Sequence, residues 1–154
     1  MTGKALWFRR PTPESIKSRH IGTLPALMGM EFDEVGDDFI RGRIPVDERS
    51  IQPAGILHGG ASVVLAETLG SVGANLCLDP EGFFAVGQEI NANHLRGVRS
   101  GRVTGTARPI HLGARSQVWE IRIEDDKGRL TCISRLTMSV VQGAAPTPVP
   151  GTPA

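Results

Sequence analysis

Residues 51–75, IQPAGILHGGASVVLAETLGSVGAN, decide the fold. The stretch opens with Gln52 and a Pro53-Ala54-Gly55 turn, passes through His58-Gly59-Gly60 and continues as a long apolar segment. That segment is too long for a strand, contains no proline and carries Ala, Val and Leu on nearly every side, so it reads as a helix. A helix apolar all round is expected to be buried all round. Glu67 nevertheless stands in its middle, and a buried carboxylate needs a partner. No Lys or Arg occurs between Arg49 and Arg96, so no cation is available from the same helix or its flanking loops. Ser71 lies one turn after Glu67 and Asn75 one turn further, which draws a polar stripe down an apolar rod. A lone helical Glu more often reaches a distant Arg or solvent. In this cation-free setting, behind His-Gly-Gly, we read Glu67 as a working carboxylate lining a cleft, its pKa raised by desolvation.

Upstream, residues 1–13 read as a loose lead-in, followed by short helical turns over Glu14–His20 and Leu24–Met28 split by Gly22. EFDEVG, Asp37-Asp38 and FIRGRIPV then read as a hairpin, with Ile40, Ile44 and Val46 on one face. Downstream, Leu78-Asp79-Pro80-Glu81-Gly82 ends the helix. Four strands follow. Over 83–96, alternation places Phe84, Val86, Ile90, Ala92 and His94 on one face. Strands over 102–110 and 116–125 flank a His111-Leu112-Gly113 turn, and Asp126-Lys127-Gly128 is a hairpin signal before the last strand, 130–141. We expect three regions: a leader over 1–23 with a short helix, a domain over 24–141, and a disordered Pro- and Ala-rich tail over 142–154. The fold class is α+β. An antiparallel sheet of about six strands, four of them in a meander, curves around one long helix. Its open edges favour pairing between two copies.

The chain has 154 residues and a net charge of +1, which suits one domain with a real core. The balance gives no footprint for nucleic acid or for an anionic membrane. The residues after Met1 have no apolar run of signal-peptide length, and Glu67 makes the central helix a poor membrane span. Cys77 and Cys132 lie in apolar settings far apart, as expected of two buried thiols in a reducing cytosol, so a cytoplasmic location is expected.

Gln52, His58, Gly59 and Glu67 can act together on a carbonyl. Glycines at a helix N-terminus let backbone N–H groups approach a ligand, and the helix dipole favours negative charge there. A tetrahedral oxyanion needs such donors. His58 can hydrogen-bond beside it, Gln52 can hold the carbonyl or a water, and Glu67 is the nucleophile or general base. Gly59 and Glu67 are eight positions apart, about 12 Å along one helix, too far to serve one carbonyl. The two halves are therefore expected from different subunits. His94 ends the apolar face of its strand, where reaching the cleft and facing solvent are equally open. His58, Glu67 and His94 share no metal-ligand spacing, and no metal is expected. The sequence lacks a G-x-S-x-G elbow, a P-loop and a Rossmann glycine pattern. Arg96, Arg99, Arg102, Arg108 and Arg115 collect at the later turns, mostly as solvated surface, with one or two available to phosphates.

Together QPAGILHGGASVVLAETLGS, EINANHLRGVRSGRV, HLGARSQVW and DDKGRLTCISRLTMSVV make the chain resemble the hotdog-fold acyl-CoA thioesterases. Within these it is similar to the 4-hydroxybenzoyl-CoA and phenylacetate-pathway clade, which includes small bacterial esterases of aroyl-CoA or aroyl-carrier-protein thioesters. The resemblance covers about residues 24–141. It implies that Glu67 is the catalytic carboxylate and that Gln52, His58 and the Gly59 amide, with Gly60 beside it, act at the thioester carbonyl. It implies that Ser71 and His94 lie by the acyl group or water, and that the pantetheine arm passes His111, Leu112, Gly113 and Arg115. It implies a homodimer pairing into a homotetramer. No cofactor is expected, coenzyme A entering as part of the substrate. Two rivals share this architecture: a non-catalytic acyl-CoA-binding domain, and a hydratase or dehydratase pairing His58 with Glu67.

Overall fold

The computed structural model of the protein describes residues 6–146. Three helices and six strands follow one another as α1 (Pro13–Ser18), α2 (Leu24–Leu27), β1 (Glu31–Val35), β2 (Ile40–Pro45), α3 (Gly59–Leu76), β3 (Phe83–His94), β4 (Arg102–Leu112), β5 (Ser116–Asp125) and β6 (Leu130–Gln142). All strand pairs are antiparallel, in the order β1-β2-β4-β5-β6-β3. The expected α+β architecture is present, but the meander has three strands, not four. α3 carries the chain across the whole sheet, about 27 Å for its length, so β3 forms at the far edge against β6. The chain then returns through residues 95–101 to lay β4 beside β2.

The sheet curves around α3 because one face of each strand is apolar. Ile40, Ile44, Val103, Ala107, Trp119, Ile121, Ile123, Leu136 and Met138 are fully buried. On the helix, Leu65, Ala66, Leu69 and Ala74 face them. Small residues set the distance: a methyl group on Gly73 would lie 2.8 Å from the Trp119 ring. The expectation of a helix buried all round is not met within one chain. Val63, Val64, Glu67, Thr68, Ser71 and Val72 are only half-buried, because a single sheet covers only one side of the rod.

From residue 6 onward the lead-in is not loose. Trp7 is 6% exposed, stacks on Trp119 with ring centroids 6.3 Å apart, and donates its Nε1–H to Gly36 O at 2.6 Å. Phe8 N–H bonds Leu76 O at 2.8 Å, and Ile16 of α1 is buried in the same core. An aromatic of this size is buried where a partner can be reached, and the apolar periodicity of the leader did not reveal that partner. The core therefore does not divide at residue 23. Of the expected tail, Gln142 belongs to β6, and residues 147–154 lie outside the described residues.

Alternation in β3 holds only in its second half. The register slips between Gly87 and Glu89, so Ala85 and Gly87 face the helix before it, and Ile90, Ala92 and His94 after it. Val86, expected on the buried face, is 42% exposed. A β-bulge inserts one residue and inverts the two-residue period. β4 also runs two residues further than expected, so His111 and Leu112 are strand residues and the turn is Gly113–Arg115.

Candidate active site

The loop before α3 is built to hold its first residues still. The Ser50 hydroxyl bonds Pro45 O at 2.9 Å and accepts from Asp47 N–H at 3.1 Å. Gln52 and Gly55 close a tight turn, Gly55 N–H to Gln52 O at 2.9 Å, with Gly55 at φ +69° where a side chain would be strained. Gln52 N–H bonds Ile56 O at 2.9 Å, and His58 N–H bonds Ser50 O at 2.8 Å. His58 caps α3: its Nδ1 accepts the Gly60 N–H at 2.8 Å. An Nδ1 that accepts leaves the proton of a neutral ring on Nε2, so His58 presents an N–H donor away from the helix. The Gly60 N–H is thereby used within the chain. Gly59, the first helical residue, has no intrahelical acceptor for its own N–H.

His94, at the end of β3, comes back onto this helix end. A methyl group on Gly59 would lie 2.8 Å from His94 Nε2. A cleft of about 290 Å³ opens here, lined by Gln52, Ile56, Gly59, Ser62, His94 and Arg96 among others. Gln52, Gly59 and His94 of the expected site line it and His58 does not, and Arg96 is the one late arginine at its wall. Arg108 and Arg102 pair instead with Asp38 and Glu31.

Glu67 does not line that cleft. It sits two turns along the open face of α3, half-buried, with Oε1 so near β3 that a methyl group on Gly87 would come within 2.5 Å. Burial alone raises its pKa, with no hydrogen bond or charge contributing. Ser71, one turn on, opens into a second cleft at the C-terminal end of α3. Asn75, read as part of the same stripe, has a structural task. Its amide accepts from Ala85 N–H at 2.9 Å and donates to Ala85 O at 3.1 Å, pinning the start of β3 to the helix. His111, Leu112, Gly113 and Arg115 are at the other end of the sheet from the first cleft. Ser116 pairs with Ser139 and Ala85 with Val140, whereas His94 pairs with Cys132.

One chain thus separates the expected residues into three groups: Gln52, His58, Gly59 and His94 at the start of α3, Glu67 and Ser71 on its open face, and residues 111–115 at the far end. Sequence reasoning missed Gly87, although a glycine inside a strand is a signal of close approach. Among the described residues no three His, Cys, Asp or Glu side chains converge as a metal site. Burial pushes the Cys77 thiol up to about 12 and raises that of Cys132, so neither supplies a thiolate. Among the described residues no helix is long and apolar enough to cross a membrane.

A curved antiparallel sheet wrapped around one long helix defines the hotdog fold. The sequence profile of the thioesterase superfamily matches residues 54–132, and the chain belongs to that family. It is 49% identical over 136 residues to the 1,4-dihydroxy-2-naphthoyl-CoA hydrolase of Escherichia coli, covering 88% of this chain and 99% of that one. It is 46% identical over 136 residues to a proofreading thioesterase of Cronobacter turicensis, covering 88% and 98%. The crystal structure of a thioesterase from Haemophilus influenzae superposes with a TM-score of 0.86 at 48% identity, over 89% of this chain and 95% of that one. The protein is an enzyme of the thioesterase class.

Proposed function

We propose that the protein hydrolyses acyl- or aroyl-thioesters of coenzyme A, or of a carrier protein, at sites each shared by two protomers. The observation that carries this reading is the Glu67 carboxylate, unpaired among the described residues, on a helix face that these residues leave open. A second copy packed on that face, with the free β3 edges joined, would bring Glu67 of one protomer to the Gln52–His58–Gly59 end of the other. The half-buried helix face and the exposed Val86 on β3 support such a pair. Pairing of dimers into a tetramer is what the family resemblance implies, as is passage of the pantetheine arm by residues 111–115. The aroyl substrate class is supported by the name of the Escherichia coli hydrolase.

In this reading the thioester carbonyl lies between the Gly59 N–H and the His58 Nε2–H, which stabilise the oxyanion as it forms. Gln52 orients the carbonyl or the incoming water. Glu67 either attacks the carbonyl carbon, giving an anhydride that water then hydrolyses, or takes a proton from a water that attacks it; on both routes the C–S bond breaks and the thiolate leaves with its pantetheine arm. Arg96, at the wall of the first cleft, is placed to meet a phosphate of coenzyme A.

Thiol release from a panel of aroyl-, short- and long-chain acyl-CoA substrates tests this. Glu67→Gln is expected to lower kcat by about a hundred- to ten-thousandfold while substrate still binds. Near-normal turnover in that variant would remove Glu67 from the mechanism. A wild-type protein that binds the whole panel without releasing thiol would be a binding domain.

A further inference from the structure

The second cleft, of about 500 Å³, lies between the leader, the C-terminal half of α3 and the start of β3. Its walls are apolar and aromatic: Phe8 and Ile16 from the leader, Val72 and Leu76 from α3, Phe83 and Phe84 from β3. Its charged groups are all arginines. Arg9, Arg10 and Arg19 line it, and no Asp or Glu does, in a chain whose 17 Lys and Arg and 16 Asp and Glu nearly balance. Arg10 is held elsewhere, by Asp37 at 2.9 Å and by Val35 O. Arg9 and Arg19 form no ion pair among the described residues. The size suits a small-molecule subsite.

Building on the proposed thioesterase site, we infer that this cleft takes the acyl part of the thioester and that Arg9 and Arg19 select an aroyl group ending in an anionic oxygen. Ser71 joins the cleft to the catalytic face, because it stands one turn, about 6 Å, beyond Glu67 on the same helix stripe. A carbonyl at Glu67 with its oxygen at the partner's helix start has Ser71 as the next group along the open face of α3, so its acyl side runs along Ser71 into this cleft. An aromatic ring there lies among Phe8, Phe83 and Phe84. A carboxylate or acidic phenol on the far side of the ring meets the guanidinium groups, which bind such oxygens in pairs of parallel hydrogen bonds.

The test compares kcat/KM for 4-carboxybenzoyl-CoA and the uncharged 4-methylbenzoyl-CoA in the full-length wild type and in Arg9→Ala/Arg19→Ala. The readout is the ratio of the two values, in which any loss of folded enzyme cancels. The wild type is expected to favour the carboxylate, and the double variant to lower the ratio about ten- to a hundredfold, the range for a hydrogen bond to a charged group. A wild type that prefers the methyl compound, or a ratio the variant leaves unchanged, overturns the inference. So does an equal loss on both substrates that vanishes with N-acetylcysteamine thioesters, since the arginines would then hold the coenzyme A phosphates. If other thioesters in the panel are cleaved and neither of these is, this inference alone falls. If none is cleaved, the proposed function falls with it.

Discussion

The Glu67 carboxyl is held in a place where its neutral form is favoured. Its folded pKa stands above the ordinary 4.5, for the single reason that burial strips water from the anion. The sign of the linkage follows. Below the unfolded value both states are neutral and no stability is lost. As pH climbs through the raised folded value, a charge must form where it is poorly solvated, and stability falls. Glu67→Gln, neutral at every pH, should therefore melt above the wild type at pH 7 and together with it near pH 4. Calorimetry at the two pH values checks this; a variant that melts lower at pH 7 would show that the carboxylate has a stabilising partner. Wild-type turnover should rise over the same window, because both roles open to Glu67 need the anion. Glu67 was legible in the sequence because so long a stretch lacks any cation. Its neighbour Gly87 was not, because their contact depends on a register slip twenty positions away.

At the scale of elements, α3 was legible at both ends. His58 caps it and Cys77 closes it just before Asp79-Pro80, as local backbone chemistry dictates. β3 was half legible. A two-residue period predicts every facing residue only until an extra residue enters the strand. The slip at Gly87 and Glu89 puts a residue without a side chain opposite the Glu67 carboxylate. Gly87→Ala tests that contact. The Gly87 backbone is not in the left-handed region, so the strand accepts alanine, and the methyl group would press on Glu67 Oε1 instead. We expect kcat to fall about ten- to a hundredfold through misplacement of the carboxylate, with the melting temperature little changed. Wild-type turnover in this variant would mean that Glu67 acts from another position.

For the whole molecule, the α+β class and the wrapping of a sheet around one helix were legible from the order of elements and the length of the apolar segment. The order of strands was not, because nothing in the turn after α3 says that the helix has crossed the sheet. The same crossing leaves β3 as an edge and one face of α3 uncovered. A shared site predicts complementation. Gln52→Ala and Glu67→Gln homo-oligomers should each be nearly inactive. Co-expressed in equal amounts they should recover about a quarter of wild-type activity, since half of randomly formed dimers then carry one intact site. No recovery, or activity in a monomer, would place both halves within one chain.

The stacking of Trp7 on Trp119 also has an optical consequence. The chain has two Trp and no Tyr, and both tryptophans belong to this pair. Fluorescence excited at the red edge of the indole band, like near-ultraviolet dichroism in that region, therefore reports one event: whether the leader is seated on the sheet. That leader also carries Phe8, Arg9 and Arg19 into the second cleft. The protein thus holds a built-in emitter beside the cleft, whose colour and intensity should follow the filling of that space without any attached dye.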